Sequence, residues 1–263
     1  MNREKDLRAI KEFWEAKAKE HGVSHKSSWE DRFCMGLEVG ALAEYIEDGD
    51  RVLDIGCGNG LSTLDLVLRK KVSVKGIDYS EEMIRAAEGL CRESTGKGLR
   101  GTVSFEVGDI MNLREEEHSY TRAMTRRVII NLGSLENQIE AARQVHRVLV
   151  PGGLFLMSEA TTAGLRRINA LRAEFGLEDL EQPWFNLYID EGEFAEKVSD
   201  IFDLVEIRNF SSTYYVGSRV LQPFVKRILS VPPDYDSEIN RLFAGLPAWG
   251  DYGIQKLFLF RKR

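Results

Sequence analysis

A chain of 263 residues, 43% hydrophobic and 30% charged, has the composition of an ordinary globular protein and the length for one large domain. No apolar run approaches the roughly 20 residues that span a bilayer, which argues against membrane insertion, and a formal net charge of -6 argues against a nucleic-acid surface, whose affinity comes mainly from phosphate neutralisation. Three scattered cysteines, Cys34, Cys57 and Cys91, make no C-x-x-C pair and sit beside no histidine cluster, so neither disulfides nor a metal site is indicated.

The mixed-charge opening Met1 to Asp6 precedes no apolar leader, and the cytoplasm is the expected location. Residues 2–20 set Leu7, Ile10, Phe13, Trp14 and Ala18 at three- and four-residue spacings, the pattern of an amphipathic helix. That helix either docks on a core or, with Trp29-Glu30-Asp31-Arg32, closes over a ligand. A second helix is expected over 33–46, stopped by the turn Glu47-Asp48-Gly49-Asp50. Strand and helix then alternate. Arg51 to Ile55 is a short apolar strand, Leu61 to Arg69 a helix, and Val72 to Asp78 a second strand ending in an acid. Ser80 then caps a helix with Glu81 and Glu82 in its first turn. Thr102 to Val107 is the third strand, and a fourth lies within Arg122 to Ile130 despite three arginines. A helix over 134–149 stops at Pro151-Gly152-Gly153, and Leu154 to Met157 is the fifth strand. Beyond residue 160 come helical material over 164–200, a strand at Asp203 to Phe210, an insertion over 211–250 with the turn Pro232-Pro233, and a last strand at Ile254 to Phe260. This order predicts an α/β fold: a doubly wound, mainly parallel seven-stranded sheet with helices on both faces, binding its ligand beyond the carboxyl ends of the strands.

The first strand runs into Asp54-Ile55-Gly56-Cys57-Gly58-Asn59-Gly60, three alternate glycines before a helix. Glycine accepts positive φ and lets a ligand lie against the backbone. A dinucleotide fingerprint would place its third glycine where Leu61 stands. Asp78 ends the second strand, where an ionised carboxylate can accept hydrogen bonds from both ribose hydroxyls. Gly108-Asp109-Ile110 ends the third, offering an acid and an apolar face to a nucleobase. Taken with Gly76-Ile77-Asp78-Tyr79-Ser80-Glu81-Glu82-Met83 and Arg147-Val148-Leu149-Val150-Pro151-Gly152-Gly153, these segments resemble the class I S-adenosylmethionine-dependent methyltransferases over roughly residues 50–160. The resemblance implies that Asp54 and the loop Gly56, Cys57, Gly58, Asn59 and Gly60 border the methionine part of the donor S-adenosylmethionine. It further implies that Asp78 holds the ribose, that Gly108, Asp109 and Ile110 meet the adenine, and that Tyr79 and Met83 pack on its faces. The acid that the family often carries near the start of the fourth strand is absent, Tyr120-Thr121 standing there. Arg127 or Asn131 is expected at the mouth of the donor pocket.

Under this reading residues 1–263 form one domain: a helical lid over 1–47, a donor-binding core over 48–160, substrate-cap insertions over 161–202 and 211–250, and closing strands over 203–210 and 251–263. The acceptor is expected to be a small or medium organic molecule, such as a sugar or another cyclic metabolite, methylated on O or N. The insertions offer Trp184, Asn186, Tyr188, Tyr214, Tyr215 and Arg219 to it, or use their aromatics as the core of the cap. Glu159, at the end of the fifth strand, is the best placed base, with a purely orienting or capping role as the alternative. His146 shares a helical face with Ile139, Ala142 and Leu149 and reads as structural. Two other readings stay open, a donor-binding regulatory module and a nicotinamide-dependent oxidoreductase. A homodimer is also left open.

Overall fold

The computed structural model describes residues 6–94, 98–232, 234 and 236–263. Residues 2–5 of the expected first helix and Pro233 of the expected turn lie outside the described residues. Helix α1 (Leu7–His21) starts at Asp6, whose carboxylate accepts the N–H groups of Arg8 and Ala9, and stops at Gly22, whose positive φ turns the chain out of the helix. Helix α2 (Arg32–Ala43) follows a cap by Asp31, which accepts from Cys34 N at 3.0 Å.

Strands β1 (Arg51–Ile55), β2 (Ser73–Asp78), β3 (Thr102–Val107), β4 (Tyr120–Arg126), β5 (Leu149–Ala160), β6 (Phe202–Arg208) and β7 (Gln255–Lys262) form one sheet in the order β3-β2-β1-β4-β5-β7-β6. The five strands from β3 to β5 pair in parallel, while β7 runs antiparallel between β5 and β6. The connecting helices are α3 (Leu61–Arg69), α4 (Glu81–Ser94), α5 (Leu135–Val148), α6 (Thr162–Glu174) and α7 (Glu191–Lys197). Between β6 and β7 lie α8 (Ser212–Tyr215), a π-helical stretch Val216–Leu221, α9 (Gln222–Ile228) and α10 (Glu238–Ala244).

Alternation along the strands divides the core in two. Leu53, Ile55, Ile77, Ala123, Phe155, Met157, Phe258 and Phe260 face a layer that includes Ala142 and Val145 of α5, Ile168 of α6, Phe194 of α7, and Tyr214 and Val220. Val52, Val74, Met124, Leu156, Leu257 and Leu259 face the opposite layer, with Leu42 of α2 and Leu64 and Val67 of α3. The predicted doubly wound architecture is therefore the one observed.

Strands β2, β4, β5, β6 and β7 differ from expectation at their ends, β5 the most. Strand β5 begins at Leu149, not Leu154, because the Pro151-Gly152-Gly153 turn is absorbed as an irregularity where the β4 pairing shifts between Tyr120 and Arg122. Strand β4 tolerates its arginines because each has a partner. Arg122 Nε donates to Tyr45 O at 2.9 Å and Arg126 pairs with Asp54. His146 packs edge-on against Phe202, centroids 5.4 Å apart, and burial lowers its basicity.

Candidate active site

The carboxyl ends of β1, β2, β3 and β4 open into one cavity of about 240 Å³. The glycine loop forms its floor. Gly56, with φ +70, has no room for a Cβ, which would lie 2.2 Å from a Val128 methyl. Gly58, with φ +57, has no neighbour within 4 Å of its Cβ direction and lines the cavity. Gly60 instead packs against Phe105 and Ala87 behind the loop and does not line the cavity.

Asp78 tethers the loop to β2. One of its carboxylate oxygens accepts from Gly58 N at 3.0 Å and the other from Ser80 N at 2.9 Å. Each oxygen keeps a lone pair for a further donor. Burial pushes its carboxyl up to about 6, against the pull of these two N–H groups. Tyr79, Met83, Gly108, Asp109 and Ile110 line the same end. Asp109 caps the turn Ile110–Asn112 by accepting from Met111 N at 2.9 Å. Burial, and then the nearby Asp78, hold the Tyr79 phenol neutral.

At the other end stand the residues that follow β4. Arg127 has φ +58, a backbone state that a side chain other than glycine's rarely takes and that tends to occur at functional sites. Its guanidinium pairs with buried Glu38 and lies over the Trp29 ring, 4.4 Å from the centroid. Asn131 donates to Arg127 O at 2.5 Å and accepts from Trp14 Nε1 at 3.2 Å. Helix α1 thus closes one side of the cavity with Leu7, Ile10, Lys11 and Trp14. Phe13 stacks on Phe185, centroids 4.5 Å apart, and Asn59 donates to Gly22 O and Ser24 O, so the middle of α1 and the turn after it are tied down.

Of the residues expected at the donor, Gly56, Cys57, Gly58, Asn59, Asp78, Tyr79, Met83, Gly108, Asp109, Ile110 and Arg127 line this cavity, and Asn131 joins them. Asp54 does not. It is fully buried, accepting from Thr63 Oγ1 at 2.5 Å and from Arg126 Nη2 at 2.9 Å. Glu159, expected to face the cleft, is also fully buried and away from it. Its carboxylate accepts the N–H groups of Val128, Ile129 and Ile130, so it caps the turn that carries Asn131. Burial nevertheless pushes its carboxyl up to about 7.

The expected acceptor residues of the insertions are elsewhere too. Trp184 packs edge-on against Phe13 beneath the lid and is 53% exposed. Asn186 is buried in the loop that Leu187 N ties to Ile130 O, and burial pushes the Tyr188 phenol up to about 12. Tyr214 donates to Asp31 at 2.6 Å, Arg219 pairs with the same carboxylate, and Tyr215 is buried. These groups fasten the segment after β6 to the start of α2. The groups that do line the cavity near Arg127, namely Ser28, Met35, Arg126 and Leu132, carry no sequence motif. Residues 29–32, which the sequence offered as closing over a ligand, place Trp29 on the Arg127 guanidinium.

Residues 52–153 match the family model described as a methyltransferase domain. Over those residues, which run from β1 into β5, the chain is similar to a methyltransferase domain. The ajmaline N-methyltransferase of Rauvolfia serpentina is 28% identical over 124 residues, covering 46% of this chain and 40% of that enzyme. The chain thus spans less than half of that relative. Two solved structures share the fold. The magnesium protoporphyrin IX methyltransferase of Synechocystis PCC 6803, with bound S-adenosylhomocysteine, superposes with a TM-score of 0.63 at 15% identity, covering 98% of this chain and all of that one (100%). The [4+2]-cyclase SpnF gives a TM-score of 0.63 at 18% identity, covering 100% of this chain and 97% of that one. Among the described residues there is no helix long and apolar enough to cross a membrane and no acidic, histidine or cysteine cluster that could hold a metal.

Proposed function

We propose that the protein transfers a methyl group from S-adenosylmethionine to an oxygen or nitrogen of a small or medium organic acceptor. One observation carries the reading: a single cavity joins a nucleoside-binding end at Asp78 and Asp109 to a second end at Arg126, Arg127 and Asn131. The residues present fit the donor. Asp78 has lone pairs for two ribose hydroxyls, Gly58 leaves open space beside the loop, and Tyr79, Met83 and Ile110 supply faces for adenine. When bound, the donor supplies an electrophilic methyl carbon on sulfur. The chain orients the two reactants and excludes water, the larger part of what a displacement of this kind requires.

The nicotinamide reading loses its support in the sheet. A dinucleotide-binding fold of order 3-2-1-4-5-6 has no antiparallel strand between its fifth and sixth, as β7 is here. Acceptor binding falls to the lid and not to the insertions. Trp14, Ser28, Met35 and Leu132 form a mainly apolar wall beside Arg127, suited to an apolar body with one nucleophilic atom. No histidine and no free carboxylate stands at that wall among the described residues, so an acceptor that is already nucleophilic, an amine above all, suits it best. In this reading α1 and α2 form the lid of a single domain that runs through both insertions.

Isothermal titration tests the donor, with binding of S-adenosylmethionine and S-adenosylhomocysteine expected and no binding of NAD. Incubation of a cell extract with the labelled methyl donor and the protein, followed by mass spectrometry, tests transfer. Donor binding with no labelled product would favour a regulatory module; the absence of donor binding would overturn the proposal.

A further inference from the structure

Arg126 is a charged residue of the cavity to which no motif gives a task. It ends β4, lines the cavity and is only 8% exposed. Its Nη2 donates to both oxygens of Asp54, at 3.2 and 2.9 Å. The acid that closes the first strand therefore lies beneath a guanidinium instead of facing the ligand. Arg126 Nε, meanwhile, is buried with no hydrogen-bond partner. A guanidinium cannot relieve this by losing its proton, and an unsatisfied buried N–H is costly enough to require a reason.

Charge along the cavity supplies one. The sheet order places β3 and β2 at one end and β1 and β4 at the other. Asp78 and Asp109 follow β2 and β3, where hydroxyl and amino donors of a nucleoside would be met. Arg126 and Arg127 end and follow β4. Lys11, the third cation of the lining, lies over the Tyr79 ring at the nucleoside end, 5.5 Å from its centroid, and Arg127 is engaged by Glu38 and Trp29, which leaves Arg126 as the cation with an unused donor at the β4 end. Asp54 fixes its charge and its orientation, and a fixed guanidinium is the side chain best matched to a carboxylate.

We propose that Arg126, held by Asp54, anchors the carboxylate at the amino-acid end of the methyl donor. The inference rests on the donor reading above and assigns Asp54 a positioning role in place of contact with the ligand. Arg126 lines the cavity and Asp54 is buried behind it, so ligand selectivity, and not affinity alone, reports on the anchor.

The test compares three ligands by titration calorimetry: S-adenosylhomocysteine, S-adenosyl-3-thiopropylamine, which lacks only the carboxylate, and 5′-methylthioadenosine, which lacks the whole amino-acid arm. The wild type is expected to prefer S-adenosylhomocysteine over the decarboxylated compound by about 30-fold or more, the range of a buried charge-assisted contact. In the paired variant Asp54→Asn with Arg126→Met, which leaves no lone buried charge, that preference should fall to threefold or less. Binding of 5′-methylthioadenosine should stay within twofold, showing the nucleoside half intact. A preference unchanged from wild type overturns the inference and spares the donor reading. Should the paired variant lose 5′-methylthioadenosine as well, Arg126→Lys decides: its preference is expected to drop three- to tenfold, and an undiminished one is again a refutation. A wild type that binds none of the three removes the donor reading and this inference with it.

Discussion

Asp78→Asn separates two effects that the structure places on one carboxylate. The first is donor binding. An ionised acceptor serving two ribose hydroxyls is worth about 1.5–3 kcal/mol, so the variant should bind S-adenosylhomocysteine about 10- to 150-fold more weakly. The second is folding. Burial raises this carboxyl from 3.8 to about 6, so in the folded state the neutral form is favoured. Below the unfolded value both states are protonated and the group costs nothing. As pH rises towards and through the folded value, the unfolded chain has already released a proton that the folded chain retains, and stability falls. Between pH 4 and 7.5 this loss amounts to about 2 kcal/mol. Asparagine does not titrate, so the stability of Asp78→Asn relative to wild type should improve by that amount over the same interval, whatever its offset from the lost N–H contacts. Urea denaturation at four or five pH values, followed by tryptophan fluorescence, measures the difference. Wild-type donor affinity should also weaken below about pH 6 and that of the variant should not. Parallel stability curves for the two proteins, or unchanged donor affinity in a folded variant, would refute the reasoning.

Three further outcomes are expected. Glu159→Gln turns an acceptor into an amide donor against one of three backbone N–H groups, so denaturation at pH 8 should show a loss of about 1–3 kcal/mol with donor affinity within twofold; unchanged stability with abolished turnover would restore it as a base. In the glycine loop, Gly56→Ala should destabilise strongly because its Cβ meets Val128, whereas Gly58→Ala should cost only about 1–2 kcal/mol of backbone strain yet weaken the donor by filling the cavity; melting and calorimetry on both variants distinguish the cases. For the lid, a double-mutant cycle on Trp14→Phe and Asn131→Ala should give a coupling of about 0.5–1.5 kcal/mol in stability, and either variant should speed donor release in stopped-flow experiments; zero coupling would mean that the bond does not hold α1.

The cavity end that gathers Asp78 and Asp109 was legible because its parts are local. A strand, a glycine turn and a helix start are adjacent in the chain, and Asp78 and Asp109 each end a strand whose period is visible in its own residues. The place of the insertions' aromatics was not legible, for the opposite reason. An aromatic-rich insertion looks the same in sequence whether it faces a ligand or fills a core. Here Tyr214 and Arg219 reach back to Asp31, 183 and 188 residues away, and Trp184 meets Phe13. Glu159 sat at the right strand end, yet the turn after β4 claimed both of its oxygens.

Local periodicity, caps and chain order alone therefore determined the α/β class and the strand sequence. Tertiary structure decided which polar groups remain available to a ligand. Asp54 was spent on Arg126 from a neighbouring strand, Glu38 on Arg127, and Asn131 on Trp14 of the lid. A buried polar atom must take whatever partner the fold brings within about 3 Å, and no pattern within a single segment records which partner that will be.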